Sequence, residues 1–443
     1  MKKSIIAIAC VAAAGIAGAP YITGSMAESE TRKMIEEFNA NADEYGVTTI
    51  ASYERGYSSS KIAYEYNLPS SLSTLTGFNE TIKYNCDYAH GMTGIDYSCD
   101  LKANPGYQKF IDDELGGVDP VSITGGMSAF GGFSQEIATT AIDKKMQDGS
   151  ILKLAPSEIV VKSDGGFTVF DSVANLGAIE LSDADGSLSV SPSTMNWKMK
   201  PTELGLFEGD YDMSVASVNF VDANQRTKLD GISLSGASVE RGDKMDSTVK
   251  MSVKSMSGEG AQAIALEDAV FSADILGVNS QALVEYQEFA TKMQSDLLAS
   301  LEEGNEQAVD PNQMMAMLPI IEKMLDKDLN IKMAFSGNVM GKPNSADIDL
   351  KLLDKTSFAQ LSAIAFNPES VLQYFDIKLN TSLDKSLVDG HPAGAMVAGS
   401  PLISQDGEAY KANLKIGAES EVNGKKVSFQ ELQGMVMSGM MAQ

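Results

Sequence analysis

The chain has few residues of the kinds that carry out chemistry in active sites. His90 and His391 are the two histidines among its 443 residues, and they lie far apart in the sequence. This scarcity argues against histidine-based metal sites and against a Ser-His-Asp hydrolase.

Two acidic segments could in principle bind a cation. Residues Asp183 to Gly186 (DADG) resemble the start of a calcium loop, but Thr194 stands where the closing bidentate acid is expected. A turn between strands is therefore the preferred interpretation. The triplet Asp112 to Glu114 could hold a divalent cation, although a solvated loop is the simpler interpretation. We predict no catalytic residues, no cofactor and no metal site, and hence no enzyme.

The N-terminus has the pattern of an export signal. Lys2 and Lys3 precede the apolar run 4–22, and acidic residues follow it. Nineteen helical residues would span about 28 Å, enough for a bilayer core. Cleavage after Ala19 would leave Pro20 first, which disfavours it, whereas Ala27 offers a second cleavage point. We favour a retained anchor over a soluble periplasmic protein, and either outcome exports the remaining chain.

Because an exported chain enters the oxidising periplasm, we expect Cys86 and Cys99 to form a disulfide. Both flank a segment with a Gly91–Gly94 turn, so two strands meeting across that turn would bring them together. Two free buried thiols are the alternative, and a metal site with His90 would have unorthodox spacing.

The charge of the chain excludes further classes of function. It contains 34 basic and 60 acidic residues, and 34 − 60 gives a net charge of −26. Such a surface repels nucleic-acid backbones and does not favour adsorption to anionic lipids. We therefore predict no nucleic-acid partner.

Beyond residue 46 the apolar residues recur with a period of two. Val249, Met251 and Val253 alternate with polar residues, which predicts antiparallel strands with one dry and one solvated face. Pairs such as Asp230-Gly231, Asp406-Gly407 and Asn423-Gly424 are typical of hairpin turns.

Helices are expected at three places in this β-rich chain. Residues 25–45 form a stalk helix that leaves the membrane or lies on the body, residues 281–326 a helical hairpin, and residues from about 429 to 440 a terminal helix. The predicted fold is mainly β with helical additions (α+β), built on a large curved antiparallel sheet. The predicted domains are a signal anchor (1–24), the stalk helix (25–45), an antiparallel β body (46–280), the helical hairpin (281–326), and a C-terminal β region with its helix (327–443).

The helical hairpin is rich in methionine, which packs adaptably against varied apolar partners. Plain core packing is the simpler interpretation of these side chains. Alternatively, the hairpin lines an apolar groove that accepts an acyl chain or a partner helix. The residues proposed for that groove are Met293, Leu297, Met314, Met317 and Ile321.

One short motif resembles a known family. The residues Tyr53, Arg55, Gly56, Tyr57, Ser58 and Ser59, after a basic and apolar N-terminus and a helix, resemble the start of the YdgA-like family of Gram-negative envelope proteins of unknown function. His90-Gly91 resembles a later His-Gly-Pro element, with Met92 in place of the proline, and Asn423-Gly424 resembles a C-terminal turn of that family. The resemblance implies an inner-membrane-anchored periplasmic protein with a large β body that can form a homodimer, and no catalytic residues.

We interpret this motif as a structural element. Arg55 would pair with an acid on a neighbouring strand, Gly56 would allow a bulge, and Tyr57 would turn into the core.

Three functions are compatible with these features. The leading hypothesis is a non-catalytic, inner-membrane-anchored periplasmic protein whose curved sheet binds a lipid, an acyl chain or an envelope protein. An interaction or adhesion factor exposed at the cell surface is the alternative. An enzyme is the third, and it would need a deep pocket of carboxylates with shifted pKa values.

Overall fold

The structure of the chain is a computed structural model that describes most of the sequence. The described residues are 25, 28–29, 31–32, 35–36, 39, 47–67, 81–128, 131–146, 149–164, 168–222, 225–259, 264–302, 311–357, 359–360, 367–390 and 394–441. The predicted anchor, residues 1–24, lies outside them. Among the described residues, none of the helices combines the length and the hydropathy that a bilayer span requires.

The described chain is mainly β, as the alternation of apolar residues predicts. The strands are β1 (Val47–Arg55), β2 (Ser59–Asn67), β3 (Ile82–His90), β4 (Gly94–Asp100), β5 (Val121–Ser128), β6 (Phe133–Thr139), β7 (Ile142–Lys145), β8 (Ile151–Leu154), β9 (Ser157–Ser163), β10 (Phe170–Leu176), β11 (Ile179–Ser182), β12 (Gly186–Val190), β13 (Ser193–Pro201), β14 (Phe207–Asp222), β15 (Arg226–Arg241), β16 (Lys244–Glu259), β17 (Ile264–Asn279), β18 (Asn330–Val339), β19 (Lys342–Leu352), β20 (Phe375–Asp384), β21 (Ser404–Asp406), β22 (Ala409–Ile416), β23 (Ser420–Val422) and β24 (Lys425–Val427).

The helices are fewer and mostly short. They are α1 (Pro105–Glu114), α2 (Ser280–Glu302), α3 (Pro311–Met324), α4 (Val371–Tyr374), α5 (Lys385–Asp389), α6 (Gly394–Gly399) and α7 (Phe429–Met441), with a 3₁₀ turn at Pro368–Ser370. The helices predicted within 281–326 and at the C-terminus are confirmed. The last one begins with a capping box, in which Ser428 Oγ accepts from Glu431 N and the Glu431 carboxylate accepts from Ser428 N.

The chain divides into two compact units. Unit 1 comprises Met1–Asp183, Thr194–Lys200 and Glu288–Asp310, and unit 2 comprises Ala184–Ser193, Pro201–Gln287 and Pro311–Gln443. In unit 1, antiparallel pairs join the strands in the order β1-β2-β3-β4-β5-β6-β9-β10, and β8 pairs with both β7 and β11. In unit 2, the order is β12-β14-β15-β16-β17-β18-β19-β20-β22-β23-β24, and β21 also pairs with β22.

The core of unit 1 is built from strands β2, β3 and β4. Its buried residues are Ile62, Tyr64, Cys86, Tyr88 and Ile95. The Cys86–Cys99 disulfide crosses the β3–β4 pair at directly opposite positions, which confirms the predicted pairing.

The N-terminal helical residues pack on this core. All eight described residues between 25 and 39 are helical, and Ile35 contacts the core cluster. Asn39 donates to Thr48 O at 2.7 Å and accepts from Thr48 N at 2.8 Å. The sequence left open whether this segment leaves the membrane as a stalk or lies on the body. Its described residues lie on the body.

The motif that carries the family resemblance spans a hairpin and corrects one expectation. Arg55 ends β1, Gly56 to Ser58 form the turn, and Ser59 begins β2. Arg55 forms an ion pair with Glu28 of the N-terminal helical residues at 3.2 Å. Tyr57 is 56% exposed because it sits at the tip of the turn, so the prediction that it enters the core is wrong.

The glycine turn signals are also only partly right. Asn423 and Gly424 both have positive φ and join β23 to β24, as predicted for a hairpin. Asp230-Gly231 instead lies inside β15, where Asp230 faces Ser217 on one side and Ser255 on the other. Gly231 has φ of 61° there, so the conformational freedom of glycine is used for an irregularity within a long strand and not for a turn.

The tyrosines of unit 1 predict a loss of stability at alkaline pH. Burial raises the pKa of Tyr64, Tyr88 and Tyr97 above the ordinary value of 10.0. In the unfolded chain these phenols lose their protons near pH 10, whereas in the folded chain they keep them. The free energy of unfolding should therefore be fully retained below about pH 10 and fall as the pH rises beyond it.

Urea unfolding between about pH 8 and pH 11 measures this fall. Tyr64→Phe should make the fall shallower, because it removes a phenol whose pKa burial raises. Equal slopes in the wild type and the Tyr64→Phe variant would contradict the assignment.

Candidate functional site

One face of the sheet in unit 2 is apolar across many strands. The pairings place Met213, Leu234, Met251, Phe271 and Phe335 in one row across β14 to β18. A second row, across β17 to β22, contains Ile275, Ile331, Leu350, Ile377 and Ile416. Because residues two apart along a strand point to the same side, both rows and the residues between them share one face. We call this surface the apolar face.

The middle of the apolar face remains open to solvent. Met251, Phe271, Ile275 and Met333 are 43%, 39%, 41% and 42% exposed. Met251 pairs with Phe271, and Ala273, which pairs with Met333, lies between Phe271 and Ile275 on β17. The four side chains therefore form one contiguous patch, and contiguous exposed apolar patches usually mark binding surfaces.

The opposite side of the same strands is polar. Ser233 and Ser252 share a hydrogen bond at 2.6 Å, and Asn380 donates to Asp347 at 2.8 Å. Lys378 lies 3.9 Å from Asp349 in an ion pair. The sheet of unit 2 thus has one polar, solvated face and one apolar face, as the alternation of residue types predicts.

Helices close one end of the apolar face. Val278, Leu329 and Leu352 form a buried cluster there, against which Leu283 from the start of α2 and Met324 from the end of α3 pack. Lys323 of α3 and Glu285 of α2 form an ion pair at 2.5 Å, which ties the two helices together at this point.

A second ion pair anchors the end of α3 to the sheet. The Lys244 side chain, at the start of β16, is largely buried and lies 2.5 Å from the Asp326 carboxylate. The hydrogen bond from Lys244 holds the pKa of Asp326 below its ordinary value. This end of the apolar face is therefore fixed by polar contacts around an apolar cluster.

The residues predicted to line an apolar groove are only partly described. Met317 and Ile321 are half-buried in α3, and Met293 is half-buried in α2. The side chains of Leu297 and Met314 lie outside the described ones. The helical groove stays a prediction. Sequence reasoning instead missed the exposed patch on the strands because alternation identifies an apolar face without showing what covers it.

Unit 2 also contains an open cleft of about 690 Å³ with mixed polar lining. Asp384, Asp406 and Lys411 contribute to it, together with Lys342 and Asp268. Lys411 pairs with Asp406 at 2.6 Å, and the Asp384 carboxylate accepts a hydrogen bond from Ser386 N, so these three side chains already have partners. Within the described part of the chain, no group of three or more His, Cys, Asp or Glu residues could hold a metal ion.

A serine–histidine pair lies in unit 1, but its surroundings are structural. Ser60 Oγ and His90 Nε2 share a hydrogen bond at 2.9 Å. Both residues are almost fully buried, and His90 Nδ1 has no hydrogen-bond partner among the described residues. A nucleophile would need both access to substrate and an oriented base. His90 is therefore a buried residue of β3 that forms a hydrogen bond with β2.

One family matches the chain in comparisons with known proteins. The family described as "Bacterial protein of unknown function (DUF945)" matches residues 1–430. No curated protein and no solved structure matches the chain.

Proposed function

We propose that this chain, which belongs to the DUF945 family of bacterial proteins of unknown function, binds an apolar ligand on the apolar face without catalysing a reaction. In this proposal it is a YdgA-like envelope protein, held in the inner membrane by residues 1–24, with its body in the periplasm. The open patch of Met251, Phe271, Ile275 and Met333 is the observation that carries the proposal.

The chemistry of the apolar face favours an acyl chain as its occupant. The backbone groups of these strands are paired with neighbouring strands, so the face offers side chains of Met, Phe, Ile and Leu and little hydrogen bonding. A partner protein would usually need a polar rim around such a patch. An acyl chain needs none, because each buried methylene contributes about 0.8 kcal/mol.

The dimensions of the face also suit an acyl chain. The row from Met213 to Phe335 crosses five strands, and four steps of about 4.8 Å make roughly 19 Å. One leaflet of a bilayer core is roughly 15 Å thick, which is the reach of its acyl chains. The cluster around Leu352 would close one end of this surface.

Binding of palmitate to the purified full chain tests the proposal. Phe271→Asp places a charge in the patch and removes a large apolar contact, so it should weaken palmitate binding at least about tenfold, or about 1.4 kcal/mol. Ser272→Asp is the matched control, because Ser272 is the next residue of β17 and points to the polar side. The palmitate affinity of the Ser272→Asp variant should stay close to that of the wild type.

Isothermal titration or displacement of a fluorescent fatty acid gives the affinities, and circular dichroism verifies that both variants are folded. Absence of saturable palmitate binding by the wild type, or equal weakening by the two substitutions, would rule out an acyl-binding apolar face.

A further inference from the structure

Two neighbouring hairpins of unit 1 present exposed apolar side chains at the same end of the sheet. Tyr57 is in the β1–β2 turn, Met92 is in the β3–β4 turn, and each is 56% exposed. His90 N donates to Ser58 O at 2.8 Å, so the two turns lie side by side. We call residues 56–58 and 91–93 the hairpin tips.

The N-terminal helical residues begin at this end of the sheet. Glu28 pairs with Arg55 beside the tip, Arg32 stacks over the Tyr53 ring at 5.6 Å, and Asn39 bonds to Thr48 at the other end of β1. The N-terminal helical residues therefore run antiparallel to β1, and Glu28 lies at the end of β1 that is next to the hairpin tips.

A short stretch of sequence separates the apolar run 4–22 from Glu28, which lies beside the hairpin tips. Ile22 and Glu28 are 28 − 22 = 6 residues apart, and six residues span at most about 20 Å even when fully extended. If the run is in a bilayer, the tips lie close to the surface of that bilayer.

The chemistry of the hairpin tips suits a lipid interface. In a chain with a net charge of −26, the residues 56–60 (GYSSS) and 90–94 (HGMTG) contain no acidic residue. Glu28 is flanked by two arginines, Arg32 at 3.1 Å and Arg55 at 3.2 Å, so the negative charge of Glu28 is compensated beside the tips. Tyrosine is enriched at membrane interfaces, and arginine is attracted to anionic head groups.

From these observations we infer that the hairpin tips insert Tyr57 and Met92 into the interface of the anchoring membrane. The inference rests on the membrane anchorage proposed above. It assigns the body a fixed orientation, in which the end of unit 1 that carries the tips faces the lipid. Inserted tips and a short connection to the anchor would together hold the body against the membrane.

The experiment places a single tryptophan at each hairpin tip of the full chain. Trp197 is the one native tryptophan, so the background is Trp197→Phe. Tyr57→Trp and Met92→Trp probe the tips. Val118→Trp is the matched control, because Val118 is an apolar residue that is 65% exposed and lies just before β5, at the opposite end of that strand from Ser128, which pairs with Gly94. Each variant is reconstituted into vesicles of phosphatidylglycerol and dibrominated phosphatidylcholine.

Brominated lipid should quench the fluorescence of the two tip variants and shift their emission to the blue, while the Val118→Trp variant keeps its intensity. Vesicle flotation is measured on the same samples. If the chain floats with vesicles but the tip variants are quenched no more than the control, insertion is wrong and the anchorage stands. A blue shift without quenching would mean that protein, such as a second copy, covers the tips, which also overturns the inference. If the chain does not float, the anchorage and the inference fail together.

Discussion

Leu352→Ala should lower the free energy of unfolding by about 2–5 kcal/mol, the largest effect that we expect from a single substitution. Leu352 has no exposed surface and lies in the cluster with Val278 and Leu329, against which Phe375 packs. Truncation would remove transfer energy and leave a cavity, because the surrounding β19, β20 and α3 are held by backbone pairing and by the Lys244–Asp326 contact.

The next residue provides an internal control for this prediction. Leu353 has the same side chain and is 43% exposed, so Leu353→Ala should change stability by no more than about 0.5 kcal/mol. Urea unfolding monitored by circular dichroism measures both variants. Similar losses in the two would show that the cluster around Leu352 does not stabilise the chain. Because this cluster closes one end of the apolar face, Leu352→Ala should also weaken palmitate binding.

The β architecture could be predicted from the sequence because its physical signal is local. Val249, Met251 and Val253 alternate with polar residues, and they lie in β16 with their partners on β15 and β17. A period of two has no other regular explanation, since a helix would need a period near 3.6. The Asn423-Gly424 turn was predictable for the same reason, because few dipeptides adopt two consecutive positive φ angles.

The candidate site could not be predicted because it is defined by the solvent exposure of its apolar side chains. The sequence does not show which other elements cover them. The alternation shows that Met251 and Phe271 share a face, but their exposure depends on where distant helices pack. Leu283 of α2 and Met324 of α3 pack against the cluster at one end of the apolar face, whereas Met251 and Phe271 are 43% and 39% exposed. Tertiary placement of this kind leaves no local mark in the sequence.

The hairpin around Tyr57 illustrates the same limit on a smaller scale. The residues of the motif permit either a bulged strand or a turn, since Gly56 suits both. The choice was made by the pairing of β1 with β2, which puts Arg55 opposite Ser60 and leaves Tyr57 at the tip. Arg55 then meets Glu28, a partner 27 residues earlier that no spacing rule identifies.

Removal of the disulfide is the second large effect that we expect. The double substitution Cys86→Ser and Cys99→Ser should lower the free energy of unfolding by about 3 kcal/mol, because a crosslink that closes a loop of this size restricts the unfolded chain. The two cysteines are 13 residues apart, and Cys86 belongs to the buried cluster with Ile62, Tyr64 and Tyr88.

A reductant provides the control within one experiment. Dithiothreitol should destabilise the wild type in urea by nearly the same amount, while the double variant should show no response to it. The loss should reach the N-terminal helical residues as well, because Ile35 packs on the cluster that contains Cys86, and Asn39 is bonded to β1. Hydrogen exchange at Thr48 N, which donates to Asn39, should therefore accelerate in the double variant. If reductant leaves the stability of the wild type unchanged, the crosslink contributes nothing to the fold, and the stability of the β3–β4 hairpin must come from strand pairing and tyrosine packing alone.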